Sequence, residues 1–352
     1  MGDKLCAEFV GSRHTSFMRF ATIPAMQNDQ NHPIRPIVIL GPTAGGKSEL
    51  AVRLAEHFNG QILGADSMQV YRHMDAGTAK PDPQHLERAK HHLVNIVEPT
   101  QSFSVNDWLN LANPLMKQLL QDKIHPIVVG GTNLYLKALL EGLFEGPAAD
   151  PQLRQKLSDT SNTELHRQLI EIDPEAAQRI HPNDKKRLIR ALEVFHTTGK
   201  TITQLQDQWS TVPGQTSYLN NPILIGLKWE VPNINKRINK RVKFMFHPND
   251  DTESLPDETR RLEDAGLLGM QAREALGYKQ VLAHFAGTYT LDEAQEKTKI
   301  LTRRFAKAQR TWLKRYMGVH WFDADHGDAQ QLAGAVIKTI ENSAVVSENS
   351  EI

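Results

Sequence analysis

Gly41-Pro42-Thr43-Ala44-Gly45-Gly46-Lys47-Ser48 follows the apolar run Ile37-Val38-Ile39-Leu40. It opens a segment whose apolar residues, Leu50, Ala51, Leu54, Ala55 and Phe58, recur at helical spacing up to Gly60. A buried strand, a glycine-rich loop and a helix, with Gly-x-x-x-x-Gly-Lys-Ser between them, is the pattern of a phosphate-cradling P-loop. Glycines let successive backbone N–H groups converge on one point, the helix N-terminus adds partial positive charge, and Lys47 adds a full one. Ser48 is placed to hold a Mg²⁺ that bridges phosphate oxygens. These residues predict an α/β fold of the P-loop NTPase-like kind, a parallel sheet flanked by helices with its ligand at the carboxyl ends of the strands. The motif leaves open which phosphate compound binds and whether phosphate is the group transferred.

Working outward, Gln61-Ile62-Leu63-Gly64-Ala65 reads as a second buried strand that delivers Asp66 and Ser67 to the same edge. The polar loop Met68–Pro81 follows, and loops at that edge usually face substrate. A third strand is expected over 91–97 and a fourth at Pro126–Val129, ending in Gly130-Gly131-Thr132. Thr132 reads as the N-cap of a helix through Leu134, Leu136, Leu139 and Leu140. From Gly146 the pattern becomes helical, around Leu153, Leu157, Leu165, Leu169, Leu188 and Leu192, with closing turns at Gly199 and Pro213-Gly214. Within it His181-Pro182-Asn183-Asp184 leads into a basic helix start carrying Lys186, Arg187 and Arg190. The sheet resumes at Ile223–Leu227, before a helix bearing Arg237, Lys240, Arg241 and Lys243. Residues 248–257 read as a loop. Lys297–Arg315 reads as a long helix with many basic residues and no acid, and 319–322 as a last strand. The expected division is an extension over 1–33, a catalytic core over 34–145 and 216–330, a helical insertion domain over 146–215, and a helix with a loose tail over 331–352.

Composition narrows the partners. The 352 residues are 39% hydrophobic and 23% charged, within the ordinary globular range. Lysine plus arginine (41) equals aspartate plus glutamate (41), so any grip on a polyanion must come from local clusters rather than net charge. The three basic clusters, with Tyr278, Trp312 and Tyr316 among them, are such sites. Cys6 is the sole cysteine, which excludes an internal disulfide and any cysteine-based zinc finger, and fits a reducing cytosol. No apolar run is long enough to span a membrane. The first 33 residues lack the apolar core of a signal peptide. No histidine spacing suggests a metal site, and no serine or cysteine nucleophile motif appears.

Taken together, Gly41–Ser48, Asp66–Tyr71, Met74–Pro81, Gly130-Gly131-Thr132, His181–Asp184 and Gly277-Tyr278 resemble the tRNA dimethylallyltransferases, the isopentenyl transferases of transfer RNA, in their bacterial form. The resemblance covers roughly residues 36–325. It implies transfer of a dimethylallyl group from dimethylallyl diphosphate to the exocyclic N6 amine of the adenosine 3′ of the anticodon, with Mg²⁺ and without ATP. It also implies a cytoplasmic monomer whose partner is the anticodon stem-loop. By resemblance Asp66 is the general base for the amine, and Thr132 lies between the two substrates. Gly41, Pro42, Thr43, Ala44, Gly45, Gly46, Lys47 and Ser48, with Arg241, hold the departing diphosphate, where electrostatic stabilisation is worth most. Asp66, Ser67, Met68, Gln69, Thr132, Arg154, Lys186, Arg187, Leu188, Ile189, Arg190, Arg273, Gly277, Tyr278, Lys279 and Gln280 are the expected contacts to transfer RNA.

Departures from the family pattern are local. Gly45 stands where a serine is usual, so a side-chain donor to the diphosphate is missing. Ala76 replaces a larger aliphatic residue, and in Thr302–Arg310 the basic charge is kept but moved, at Arg304 and Ala308. Two rivals share the motifs. A small-molecule kinase would use the same P-loop with ATP as donor, and a non-catalytic RNA-binding protein would carry a vestigial one. Intact Lys47, Ser48 and Asp66 oppose the second. A GTPase would need Asn-Lys-x-Asp, which is absent.

Overall fold

The computed structural model describes residues 34–142, 146–207, 219, 221–249, 252–325 and 327–348. The expected extension over 1–33, the turn at Pro213-Gly214 and the last four residues of the tail lie outside these. Six strands, β1 (Ile37–Leu40), β2 (Gly60–Gly64), β3 (His91–His92), β4 (His125–Val129), β5 (Ile223–Lys228) and β6 (His320–Asp323), form one parallel sheet in the order β3-β2-β4-β1-β5-β6. β1 lies inside it, with Ile37 in register with Ile127 on one side and Ile223 on the other. All four residues of β1 are buried, as a strand covered on both faces requires.

The alternation of side chains sorts the strands onto two cores. Ile37, Ile39, Ile127 and Ile225 pack with Leu50 and Leu54 of α1 (Lys47–Phe58) and with Val336 and Ile340 of α14 (Ala329–Glu348). Val38, Leu40, Leu63 and Val128 face the other way, onto α3 (Val105–Gln121), α4 (Asn133–Glu141), α10 (Val231–Phe246), α12 (Tyr278–Phe285) and α13 (Leu291–Leu313). Trp108 is fully buried there, and its indole N–H donates to the Gly64 carbonyl at 2.8 Å. Shorter connecting helices are α2 (Pro83–Arg88) and α11 (Leu255–Asp264). The insertion is α5 (Pro151–Ser158), α6 (Asn162–Ile172), α7 (Pro174–Arg179), α8 (Lys185–Thr198) and α9 (Ile202–Asp207). It has its own small core of Leu157, Leu165, Leu169, Leu188 and Leu192.

Several boundaries differ from the sequence reading. α1 stops at Asn59, left-handed at φ 49, whose N–H caps Ala55, and Gly60 already belongs to β2. The third strand ends at His92 because Leu93 and Asn95 take positive φ, and only a single bridge, Tyr71 to Val97, continues the pairing. The expected loop at 248–257 runs into α11, whose first turn is closed by Ser254 accepting from the Asp257 N–H at 3.2 Å. α13 begins six residues before the basic stretch, at a Thr290–Glu293 capping box. α14 runs to Glu348, so the segment 331–352, expected as a helix with a loose tail, is helical through that residue.

The root of the insertion is held by one buried carboxylate. Glu193 on α8 has no exposed surface and accepts from Arg154 Nε (2.7 Å), Arg190 Nη1 (2.6 Å) and the Asp150 N–H (2.9 Å). Burial alone would raise its pKa, but these donors take it below the ordinary value. Glu193→Ala leaves two guanidinium groups without their acceptor. Because both arginines are partly exposed, the expected loss is about 2 kcal/mol, below the usual range for a broken buried pair. Urea unfolding of the variant against the parent chain measures it.

Candidate active site

The P-loop turns as its glycines require. Gly46, at φ 84, is the left-handed residue from which α1 starts, and Gly45 N–H closes the turn onto the Pro42 carbonyl at 3.1 Å. Lys47 is almost wholly buried, and its Nζ donates to the carbonyls of Gly41 (3.1 Å) and Pro42 (2.8 Å). Burial lowers its pKa to about 8, with the Asp66 carboxylate opposing the fall and the Arg241 guanidinium adding to it. Arg241, from α10, bonds Thr43 Oγ1 at 3.3 Å; burial lowers its pKa too, against the pull of Asp66. Lys47, Ser48, Asp66, Gln69, Gly131 and Arg241 line one cavity of about 320 Å³. Lys47, Lys80, Arg237 and Arg241, the carboxylates of Glu49, Asp66 and Asp82, and the N-terminus of α1 thus line one space.

The loops after β2 and β4 meet beside it. Asp66 Oδ1 accepts from the N–H groups of Met68 (2.9 Å) and Gln69 (3.4 Å), while Oδ2 lies toward Gly131. Thr132 occupies the N-cap position of α4, yet its hydroxyl makes no cap bond; it accepts from the Ser67 N–H at 2.9 Å and donates to Ser67 Oγ at 3.2 Å. The expected capping role gives way because tying the two loops satisfies the same hydroxyl. Gln69 Nε2 reaches the carbonyls of Thr78 (3.1 Å) and Ala79 (3.0 Å), closing the long loop. The buried amide of Gln309 on α13 accepts from the Thr43 N–H and donates to the Gly131 carbonyl, both at 2.7 Å. It joins the P-loop to the loop after β4.

A family model described as IPP transferase matches residues 69–316, and one described as isopentenyl transferase matches residues 34–96. The chain belongs to the IPP transferase family. It is 41% identical over 303 residues to the tRNA dimethylallyltransferase of Geobacter sulfurreducens, covering 85% of this chain and 94% of that one. It is 40% identical over 300 residues to that of Bacillus subtilis, covering 83% and 92%. The solved tRNA isopentenylpyrophosphate transferase of Bacillus halodurans superposes with a TM-score of 0.66 at 35% identity, over 90% of this chain and 99% of that one. A eukaryotic dimethylallyltransferase solved acting on tRNA superposes with a TM-score of 0.74 at 25% identity, over 89% and 80%.

Not every expected RNA contact of this IPP transferase is open to a ligand. Leu188 is fully buried in the core of the insertion, and Ile189 packs against it. Tyr278 is fully buried; its hydroxyl donates to Glu258 at 2.5 Å and accepts from the Gly77 N–H at 3.2 Å. A Cβ at Gly77 would lie 2.3 Å from its ring, so the pair locks the Met68–Pro81 loop to α12 instead of offering a stacking face. Gln280 is buried and turns back to cap the Gly277 N–H at 2.9 Å. Arg273 is paired with Glu263, and Arg154 and Arg190 with Glu193. Lys186, Arg187 and Lys279 are more exposed, although Lys186 and Lys279 share Glu274 at 3.8 and 3.0 Å and Arg187 lies 3.2 Å from Asp184.

The sequence reading marked the basic run Lys297–Arg315, with Trp312 and Tyr316, as a grip on a polyanion without assigning individual site residues to it. Arg304, Lys307, Ala308, Thr311, Trp312 and Arg315 line an open groove on the outer face of α13. Arg315 stacks over Trp312, which meets Tyr316 edge-on. Phe305 projects from the same helix, its ring near Gly131 beside Asp66. The signal was the run of basic residues without an acid. Its phase against the buried Ala306, Gln309 and Leu313 separates the inner face from the outer.

Lys47 makes the site sensitive to pH. A diphosphate held by Lys47 would bind the ammonium form, so its affinity would hold below about pH 8 and fall as the free lysine loses its proton above it. Calorimetric titration with pyrophosphate is expected to show proton uptake near pH 8 and, above it, an affinity loss approaching about tenfold per unit.

Proposed function

We infer that the chain is a tRNA dimethylallyltransferase, which moves a dimethylallyl group from its diphosphate to the N6 amine of the adenosine 3′ of the anticodon. The observation that carries this is the cavity itself, where Lys47 and Arg241 stand for the leaving diphosphate and Asp66 for the attacking amine. As the allylic carbon–oxygen bond breaks, negative charge gathers on the diphosphate oxygens. Fixed donors in a site screened from water stabilise that charge without reorganising. The adenine amine is a weak nucleophile because its lone pair is delocalised into the ring. Asp66 is suited to orient it and take its proton, since Oδ1 is anchored by two backbone N–H groups and Oδ2 is left toward the cavity. The hydroxyl of Thr132 does not line the cavity; it holds Ser67, the residue after Asp66, and would act on the reaction through that loop.

Mg²⁺ fits this donor set. Ser48 is exposed at the start of α1 and lines the cavity. Among the described residues no cluster of three or more histidine, cysteine or acidic side chains could cage a metal. Such a site suits an ion held by one hydroxyl and by the substrate's own phosphate oxygens. Bound there, the ion would neutralise charge on the diphosphate.

The base must leave its stack to reach Asp66, at a cost that is least in a single-stranded loop. The groove on α13, with Lys186, Arg187 and Lys279, would grip the anticodon stem-loop through phosphates, with Trp312 and Phe305 as faces for exposed bases. A transfer-RNA partner fits a cytoplasmic reaction; among the described residues no helix is long and apolar enough to cross a membrane.

Labelled dimethylallyl diphosphate, Mg²⁺ and an anticodon stem-loop, with ATP omitted, test the reading: label should enter the RNA, and turnover that requires ATP would favour a kinase. Asp66→Ala should abolish transfer while stem-loop affinity changes less than about threefold; retained activity removes the base assignment. Lys307→Ala should weaken stem-loop binding and reduce its salt slope by about one.

A further inference from the structure

We propose that Trp229 is a positioning residue of the phosphate cradle and that it forms a matched pair with Gly45. The inference rests on the reading that Gly41–Ser48 holds the diphosphate. Trp229 is the first residue after β5, on the strand beside β1. Its indole N–H donates to the Gly45 carbonyl at 3.1 Å. A trans peptide sets the C=O of one residue and the N–H of the next on opposite sides. Holding the Gly45 carbonyl on the Trp229 side therefore turns the Gly46 N–H away from it, at the mouth of α1.

The indole is itself fixed. The guanidinium of Arg237 lies over its ring at 4.8 Å and donates Nε to the Ala44 carbonyl at 2.8 Å. The next residue's N–H, that of Glu230, is held by Asp325 Oδ2 at 2.5 Å. Two consecutive P-loop carbonyls, Ala44 and Gly45, are thus taken from outside by side chains of one short segment. Ala44 needs such help, since it sits at φ 60, a conformation that an alanine adopts at a cost.

The pairing explains the residue at 45. A Cβ built on Gly45 would lie 2.8 Å from the Pro42 carbonyl oxygen and 3.2 Å from Trp229 Nε1. The loop is held between its own turn and the indole, with no room to shift toward either. A side chain at 45 would press on the Pro42 carbonyl first and on the indole second, so it could be admitted only by moving the contact that the indole N–H makes.

Steady-state prenyl transfer and calorimetry with inorganic pyrophosphate and Mg²⁺ test the pair. Trp229→Phe keeps a ring for Arg237 and removes the N–H. We expect pyrophosphate affinity and kcat/KM for dimethylallyl diphosphate to fall about tenfold, while KM for the stem-loop moves less than about twofold. Gly45→Ala should lose at least a similar factor, and the double variant should lose less than the product of the two single losses, because part of each loss acts through the shared contact. Losses that multiply, or a Trp229→Phe enzyme with parental pyrophosphate affinity, overturn the proposal. If Trp229→Phe does not fold, Gly45→Ala decides alone, and unchanged affinity there overturns it. If pyrophosphate fails to compete with the prenyl donor in the parent enzyme, the diphosphate reading of the P-loop falls and the pair with it. Competition without an effect of either substitution removes the pair only.

Discussion

One buried amide holds the reaction centre together. Gln309 accepts from Thr43 and donates to Gly131, and each partner belongs to a loop that follows a different strand. Its two ends are a carbonyl and an NH₂, so a single side chain satisfies one orphan donor and one orphan acceptor. Without that link the phosphate loop and the loop after β4 would be related only through the strands beneath them. Parallel neighbours bring both loops to one edge, since β1 and β4 are adjacent and in register. Gln309 thus ties the loop that leads into Lys47 to the loop after β4, which Thr132 ties in turn to Ser67 beside Asp66. A site that transfers a group between two substrates depends on how the reacting groups are held relative to one another.

The P-loop and its flanking strands were legible because local patterns carry them. Continuous apolar runs mark strands covered on both faces, and glycines with lysine and serine mark the cradle. Asp66 and the Gly130–Thr132 turn were legible from their place at strand ends. Arg241 was placed by resemblance, and the structure brings it to the cavity. What escaped were features decided by tertiary contacts. Leu93 and Asn95 carry no glycine signal, yet positive φ there ends β3. α11 has few apolar residues, so its helical period was too thin to read, though Leu255 and Leu262 are both fully buried.

Residue type misled most where polar side chains are buried. Tyr278 and Gln280 look like RNA-facing groups in a polar segment, but Glu258 and the Gly277 N–H take their polar atoms inside the protein. Arg154 and Arg190 look like free cations, but Glu193 lies between them. No spacing rule pairs residues 154 and 193; only the packing of α5 on α8 does. Conversely the outer face of α13 carries its charge in plain sight, and its role becomes specific once Gln309 marks the inner face.

α13 therefore acts as a ruler. Its inner side carries the amide that sets the reaction centre, and its outer side carries Arg304 and Lys307, within a turn or two of Gln309 along a rigid axis. At about 1.5 Å of rise per residue, the five positions from Arg304 to Gln309 span roughly 7.5 Å. A nucleic acid seated on the outer side would have to deliver its base across a reach that the helix does not adjust. A stem-loop of different dimensions seated there would present its base at a different distance from the cavity.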